Sequence, residues 1–489
     1  MKHIRRLSFA IVFLIIFFNG LGQQDRTITG VVVSAEESSP LEGVSVLVKG
    51  TRMQSGSQPD GIYYITVGNK DSVLVFFHEG YKTEEVKIAQ SNEYNVVLRK
   101  QSATLASSPF PVGNWRAVFK IRDNKEVPFN FTIEADGSKA FLINGGEKFE
   151  AGDVRQEEDS LFIALDQFDN ELAFKREGEK LIGVLRKQDR SGTPQPVSAE
   201  WNKNYRFIGD EFKPAFDISG TYDVGFKESD RSETKTVGLF KQQGNKITAT
   251  FLKTTGDTRF LEGTIQGNKI FLSSFIGSSP SYYEIEVNND RSLSGQTLGL
   301  RGGQAFTGRL NPNAALPDPY SLTYLKPGYE AFDFSFPDLE GKQVSLKDAK
   351  YKNKVVIISI TGTWCPNCID EAEFLSPWYK KNKQRGVEAI AIHYERQLDS
   401  AYLYKVMNRF KKKHGITYDE VIAGVPDKRK VAESLPALNS FLAFPTILFI
   451  DKKGNVAKIY TGFNGPATGK YYDQFQKEFN AEVDRLLKQ

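Results

Sequence analysis

The sequence predicts a multidomain chain in which an α/β domain, a mixed sheet flanked by helices, follows a small β domain and a larger all-β domain. Three observations predict this. The chain has 489 residues, about three units at ~150 residues per domain. Most of the chain before residue 311 is broken by turn residues about every 8–12 positions, the spacing of short antiparallel strands. Residues 328–489 then change to buried-strand runs alternating with helical periodicity. The composition is 40% hydrophobic, 25% charged and 12% aromatic, which excludes a wholly disordered or fibrous protein. Lys+Arg 64 against Asp+Glu 60 leaves a formal charge of +4, and no basic block stands out, so nucleic-acid binding has no footing. Two cysteines cannot form a disulfide scaffold, and four scattered histidines do not make a dedicated metal cage. No cofactor is implied.

Residues 1–22 read as an export signal. Lys2, Arg5 and Arg6 precede the apolar run Leu7 to Phe18, which ends at Asn19 and the small-x-small triplet Gly20-Leu21-Gly22. That run is too short for the ~20 residues a membrane span needs, but it suits the apolar core of a signal peptide. Cleavage is expected near Gly22, with a retained anchor as the alternative. No cysteine lies near the cut, which excludes a lipoprotein, and no later stretch is apolar enough to cross a membrane. The expected destination is the periplasm or cell envelope, with the mature chain soluble in an oxidising compartment.

Within residues 23–98, short β-type runs (Ile28 to Val33, Val44 to Val48, Ile62 to Val67, Val73 to Phe77, Tyr94 to Leu98) alternate with Pro40, Gly43, Gly50, Asp60-Gly61 and Gly80, the punctuation of hairpins. The string Thr29-Gly30-Val31, Pro40-Leu41-Glu42-Gly43-Val44, Lys49-Gly50-Thr51, Asp60-Gly61 and Gly80-Tyr81-Lys82 resembles the carboxypeptidase-regulatory-like β-sandwich found at the N-termini of exported Bacteroidetes proteins. The resemblance implies a fold and no activity; a spacer or a docking surface are both open readings. Residues 99–111 form a polar linker rich in Ser, Ala and Pro.

Residues 112–310 are β-patterned throughout, with turn signals at Ala135-Asp136-Gly137, Asn144-Gly145-Gly146, Glu177-Gly178, Gln243-Gly244-Asn245, Gln266-Gly267-Asn268 and Asn288-Asn289-Asp290. An all-β sandwich or barrel follows. Gly113-Asn114-Trp115-Arg116-Ala117-Val118 echoes Gly220-Thr221-Tyr222-Asp223-Val224, and Lys180-Leu181-Ile182-Gly183 echoes Ser292-Leu293-Ser294-Gly295. Two related halves closing one barrel are the expectation. The aromatic residues read as core, because aromatics fill β interiors routinely. Residues 311–327 carry Pro312, Pro317, Pro319 and Pro327, which should stiffen and extend a connector at a domain boundary.

In residues 328–489 the buried-strand run Val355 to Ile360 leads through Thr361-Gly362-Thr363-Trp364 into a helical pattern. A second strand is expected over Val387 to Ile392 and a long helix over Ser400 to His414. Strands Thr446 to Ile450 and Asn455 to Tyr460 flank the turn Asp451-Lys452-Lys453-Gly454. A final amphipathic helix shows Tyr471, Phe475, Phe479 and Val483 at i+4 steps. Pro377 should kink or end the first helix early.

The chemistry-bearing motif is Cys365-Pro366-Asn367-Cys368, at the strand-to-helix junction. Pro366 fits the first helical position, where its missing N–H costs nothing, which makes Cys365 the N-cap. Unpaired N–H groups and the positive end of the helix dipole favour a thiolate there, and such placement lowers a cysteine pKa from ~8.5 into the ~3.5–7.5 range. Cys368, one turn on, is close enough to bond the first sulfur. Trp364 should shield one side and leave an edge open to a partner. A C-x-x-C pair with a βαβ pattern is a redox signature. A purely structural disulfide would close too small a loop to stabilise much, and a zinc site would need two further ligands that His393 and His414 are not spaced to supply. Glu371, three residues after Cys368, shares its helix face. If buried, its carboxyl would be raised in pKa and able to exchange a proton with Cys368. The alternative is a solvated carboxylate beside Asp370 and Glu373. His393 reads as structural.

The stretch Gly362-Thr363-Trp364-Cys365-Pro366-Asn367-Cys368-Ile369-Asp370-Glu371 resembles the active site of TlpA/ResA-type thioredoxin-like thiol–disulfide oxidoreductases. The similarity extends over residues 328–489, including Phe332 to Lys342, Val344-Ser345-Leu346 and Phe444-Pro445-Thr446. It implies a C-terminal thioredoxin fold, a redox-active Cys365–Cys368 disulfide, Glu371 as the acid of the site, a cis Pro445 facing the cysteines, and Phe444 as substrate-docking backbone beside Trp364. It further implies exported protein disulfides as substrates and a membrane thiol-reducing electron donor. Proline stands first of the two intervening residues, where many relatives have it second. The reading is an exported oxidoreductase that reduces protein disulfides through a mixed disulfide. The alternatives are a disulfide oxidant or isomerase, or an envelope binding protein with a non-catalytic thioredoxin-like domain. A midpoint potential near ~−120 mV would mark an oxidant and one near ~−270 mV a reductant.

Overall fold

The structure is a computed structural model, and it describes residues 25–489 apart from 36, 52, 79, 101–109, 208–212, 301 and 330. The expected export signal and most of the linker at 99–111 lie outside the described residues. The chain forms two compact units, 1–107 and 108–489. No helix among the described residues is long and apolar enough to cross a membrane.

The first unit is all β. A three-stranded and a four-stranded sheet share one core of Ile28, Val32, Val46, Tyr63, Leu74, Phe76 and Leu98. Strand Arg26–Ser34 alternates buried and partly exposed residues, the period-2 pattern of a sheet with one covered face.

The second unit opens with two rings of antiparallel strands. The first runs from Gly113–Lys120 to Gln195–Trp201 and closes when its last strand pairs with its first, Val197 opposite Phe119 and Trp201 opposite Trp115. The second runs from Gly220–Lys227 to Gly303–Leu310 and closes the same way, with Phe306 opposite Phe226. The halves therefore do not close one barrel together, as the sequence echo suggested; each closes its own. The echo itself falls in register: Gly113 and Gly220 open the first long strand of each ring, and Leu181 and Leu293 sit on the strand before the last. Eight strands make a ring just wide enough for side chains to fill. Trp115, Phe119, Phe129, Phe131 and Phe174 fill the first interior, and Tyr222, Phe226, Phe251 and Phe306 the second. A single ring of both halves would leave a channel that these residues could not fill.

The proline-rich segment is not a free connector. Pro319 O accepts from Thr461 N–H at 3.1 Å, Lys326 N–H donates to Ala437 O at 2.8 Å, and the Tyr320 ring meets Tyr460 edge-on at 5.0 Å. Pro327 thus delivers the chain onto the last domain already anchored.

That domain is a five-stranded mixed sheet in the order Asp419–Gly424, Val387–Tyr394, Val355–Thr361, Thr446–Ile450, Val456–Thr461. The first three strands are parallel, and Thr446–Ile450 runs antiparallel to both of its neighbours. Four helices accompany it: α1 (Pro366–Asn382), α2 (Ser400–His414), α3 (Lys428–Ser434) and α4 (Lys470–Leu487). Val355–Thr361 is buried at every position because both faces are covered, which is why it reads as an unbroken apolar run. Val355 and Ile357 face α1 and α4; Val356, Ile358 and Ile360 face α3 and the segment carrying Phe332 and Phe334. Helix α1 runs through Pro377 to Asn382 instead of ending early. Trp378 and Tyr379, beyond the proline, are buried in the core and hold the last turn in place.

Phe479 is fully buried, its ring packed on Phe374, Trp378, Phe449 and Phe475. Phe479→Ala removes the centre of this cluster and should cost ~3–5 kcal/mol of stability, read as a lower denaturant midpoint at unchanged slope.

Candidate redox site

Cys365 caps α1 with extended backbone (φ −95°, ψ 122°), and Pro366 occupies the first turn. The carbonyl of Cys365 accepts the first helical bond from Ile369 at 3.2 Å. Its Sγ accepts from the backbone N–H of Cys368 at 3.3 Å. That bond satisfies an orphan donor of the helix terminus and stabilises negative charge on the sulfur. Both cysteines are free thiols; Cys368 is fully buried and Cys365 retains 5% exposure. The residual opening is therefore at the first sulfur.

The loop before strand Thr446–Ile450 comes to the same place. The Phe444–Pro445 peptide is cis, and Phe444 O lies 3.6 Å from Cys365 Sγ as acceptor of its thiol hydrogen bond. The Trp364 ring stands edge-on to Phe444 at 5.4 Å, and its Nε1–H donates to Tyr394 O at 2.8 Å. The pair Trp364 and Cys365 and the pair Phe444 and Pro445, far apart in sequence, thus line one site. Asn367 Nδ2 donates to Phe463 O at 3.1 Å and ties the first turn of α1, between the cysteines, to the end of the sheet.

Glu371 is buried beneath the pair. Its Oε2 accepts from Ser359 Oγ–H at 2.6 Å, and Oε1 has no hydrogen-bond partner. Burial pushes its carboxyl from 4.5 up to about 8, against the Ser359 bond and the charge of His393, which pull it down. Burial likewise raises the Cys368 thiol well above the usual range, helped by Cys365 and Glu371 and opposed by a hydrogen bond with Thr361. The solvated alternative for this acid does not describe its place. Asp370 is buried too: its Oδ1 meets Arg259 Nη1 at 2.6 Å.

Three further groups hold the site; the sequence reads His393 as structural, and periodicity gave no hint of Glu395 or Arg259. Glu395, fully buried, accepts from both the N–H and the hydroxyl of Thr363 at 2.8 Å, fixing the loop before Trp364. His393 lies within the second strand, between Glu395 and Glu420, each at 3.2 Å. Burial alone would lower its pKa, but the two carboxylates win and lift it to about 9. Arg259, from the second ring, donates to Pro366 O at 2.8 Å. Strand-to-loop position could have singled out Glu395; nothing local could have singled out Arg259.

Residues 327–459 match the family model described as the AhpC/TSA family, and residues 28–108 that of the CarboxypepD_reg-like domain. The chain is similar to the thiol-disulfide oxidoreductase ResA of Bacillus thuringiensis subsp. konkukian, 31% identical over 151 residues, 31% of this chain and 77% of that protein. It is also similar to ResA of Geobacillus thermodenitrificans, 33% identical over 138 residues, 28% of this chain and 69% of that one. Among solved structures, a thiol:disulfide interchange protein of the thioredoxin family from Chlorobium tepidum aligns at 24% identity with a TM-score of 0.25, covering 32% of this chain and 95% of its own.

A carboxyl raised from 4.5 to about 8 binds its proton in the folded state where the unfolded state has lost it, so stability falls as pH rises across that window. Glu371→Gln removes this titration. The variant should gain stability over the wild type progressively between about pH 5 and pH 8, measured by urea unfolding at both ends.

Proposed function

The chain belongs, through its C-terminal thioredoxin-like domain, to the family of ResA thiol-disulfide oxidoreductases and is a thioredoxin-like oxidoreductase; on that premise we propose that it reduces protein disulfides in an exported compartment through Cys365 and Cys368. The observation that carries this is the position of Cys365 Sγ, held by the Cys368 N–H at 3.3 Å and facing Phe444 O at 3.6 Å. A sulfur that can carry charge sits beside backbone at which an extended substrate can pair.

The reaction runs in two exchanges. The Cys365 thiolate attacks one sulfur of the substrate disulfide; that S–S bond breaks, its other sulfur leaves as a thiolate and takes a proton from solvent. Cys368 then gives up its proton and attacks Cys365 Sγ. The mixed disulfide breaks, the second substrate sulfur leaves as a thiolate and takes a proton from solvent, and two electrons have passed to the substrate. The enzyme is left with a Cys365–Cys368 disulfide, which a thiol-reducing donor at the membrane returns to the dithiol.

Glu371 receives the proton of Cys368. It lies one turn further along the same face of α1, and with its carboxyl at about 8 the ionised form that takes the proton is the minor one at neutral pH and grows as pH rises. The proton acceptor is thus already inside, where water does not reach the second sulfur. Trp364 and Phe444 bound the opening on one side and leave Cys365 as the point of attack.

Cys368→Ala, with Cys365 intact, should accumulate covalent adducts with client proteins that dithiothreitol releases, while Cys365→Ser should reduce a model disulfide no faster than the uncatalysed rate. Absence of any reducible adduct in the first variant overturns the mechanism. A midpoint potential near ~−120 mV instead of ~−270 mV would reverse its direction to oxidation.

A further inference from the structure

The first turn of α1 is held from outside its own domain. Segment 256–259 of the second ring lies against it. Gly256 has φ +125°, and a Cβ built there would collide with Asn367 Nδ2, between the two cysteines. Asp257 Oδ2 accepts from Gly465 N–H at 2.7 Å. Arg259 adopts φ +56°, a left-handed conformation uncommon outside glycine, and its own N–H is fixed by Asp257 Oδ1 at 2.6 Å. The Arg259 side chain is only 7% exposed. Its Nη1 reaches both Pro366 O at 2.8 Å and Asp370 Oδ1 at 2.6 Å, and its Nε donates to Glu147 Oε1 of the first ring at 3.0 Å.

A link between the two rings alone would need only Glu147. One arm of the guanidinium is instead directed at the residue that follows Cys365 and at the carboxylate one turn beyond. We infer that Arg259 is a positioning residue of the redox centre, fixing the first turn of α1 and supplying the positive charge behind Cys365 that favours the dithiol over the disulfide. The inference rests on the redox reading above and adds a part of the site from a domain outside the thioredoxin-like fold.

The sign follows from the groups around Arg259. Glu147 of the first ring, Asp257 of the second, and Asp370 and Glu373 of α1 face it as acids, with Lys413 and His414 of α2 beyond them. Burial holds the Asp370 carboxyl well above the usual range even against the pull of Arg259. Without the guanidinium, Pro366 O loses its buried donor, Asp370 loses the cation that opposes its protonation, and the positive charge beside the first turn of α1 is gone. A thiolate there becomes less favourable, and the disulfide gains.

The test uses the full chain as wild type, Arg259→Gln, Arg259→Lys and Glu147→Gln. Each is equilibrated in glutathione redox buffers, and the reduced form is alkylated with iodoacetamide across a pH series. Arg259→Gln should move the dithiol–disulfide equilibrium about tenfold towards the disulfide, ~30 mV for a two-electron couple, and slow alkylation below neutral pH. Arg259→Lys keeps the charge but not the fork, so it should fall between wild type and Arg259→Gln. Glu147→Gln should lower Tm as Arg259→Gln does while moving the equilibrium less than about threefold, which separates positioning from mere joining of the rings. Arginine variants that titrate and alkylate like wild type overturn the inference, as does a Glu147→Gln shift equal to that of Arg259→Gln. A wild-type protein with no reversible titration overturns the redox reading itself and this inference with it.

Discussion

The N-terminal turn of α1 has backbone N–H groups with no partner in the helix, those of Asn367 and Cys368, since Pro366 carries none, and the site is organised around where their positive field goes. Cys365 takes one of them through its sulfur. The carbonyl of the cis Phe444–Pro445 peptide lies 3.6 Å from the same sulfur. Both approaches require the buried strand Val355–Thr361 to end where it does, because that strand sets the starting point of α1 and pairs with Thr446–Ile450. Moving the strand by one residue would exchange its two apolar faces, so the packing of α1 and α4 on one side and α3 on the other also fixes the sulfur.

Beneath that turn the domain buries an unusual number of ionisable groups. Glu371, His393, Glu395 and Asp370 are all nearly or fully inaccessible. Burying charge costs several kcal/mol per ion unless partners compensate, and each group here finds a different compensation. Asp370 has Arg259. His393 has Glu395 and Glu420. Glu395 also holds the Thr363 loop. Glu371 has a single hydroxyl, and its carboxyl is held by burial in the proton-bearing form over much of the neutral range. The acid one turn beyond the second sulfur makes no ion pair among the described residues, a placement that suits proton exchange and gives nothing to stability.

The rings contribute more than length. Segment 256–259 of the second ring packs on Asn367, Gly465 and Pro366, while Gln167 of the first ring donates to Thr363 O. The loops on both sides of Cys365 are thus braced by strands that precede the redox domain in sequence. Arg259 joins the two rings and α1 in one buried ion cluster, so removing any single partner leaves uncompensated charge inside the molecule.

Local patterns determined a good deal. The helix cap at Cys365, the span of α2 from Ser400 to His414 and the amphipathic face of α4 follow from short-range rules: capping, apolar periodicity and turn chemistry. The resemblance of Phe444-Pro445-Thr446 to a known motif supplied the facing loop. What the sequence could not decide was non-local. That each β half closes its own ring depends on which strands pair last with first. That Asp370 and Glu371 are interior depends on what covers α1, and the residue that meets Asp370 comes from a hairpin more than a hundred positions earlier. Periodicity reports which face of an element is apolar; only the folded chain decides what is laid against that face, and burial and charge pairing are set there.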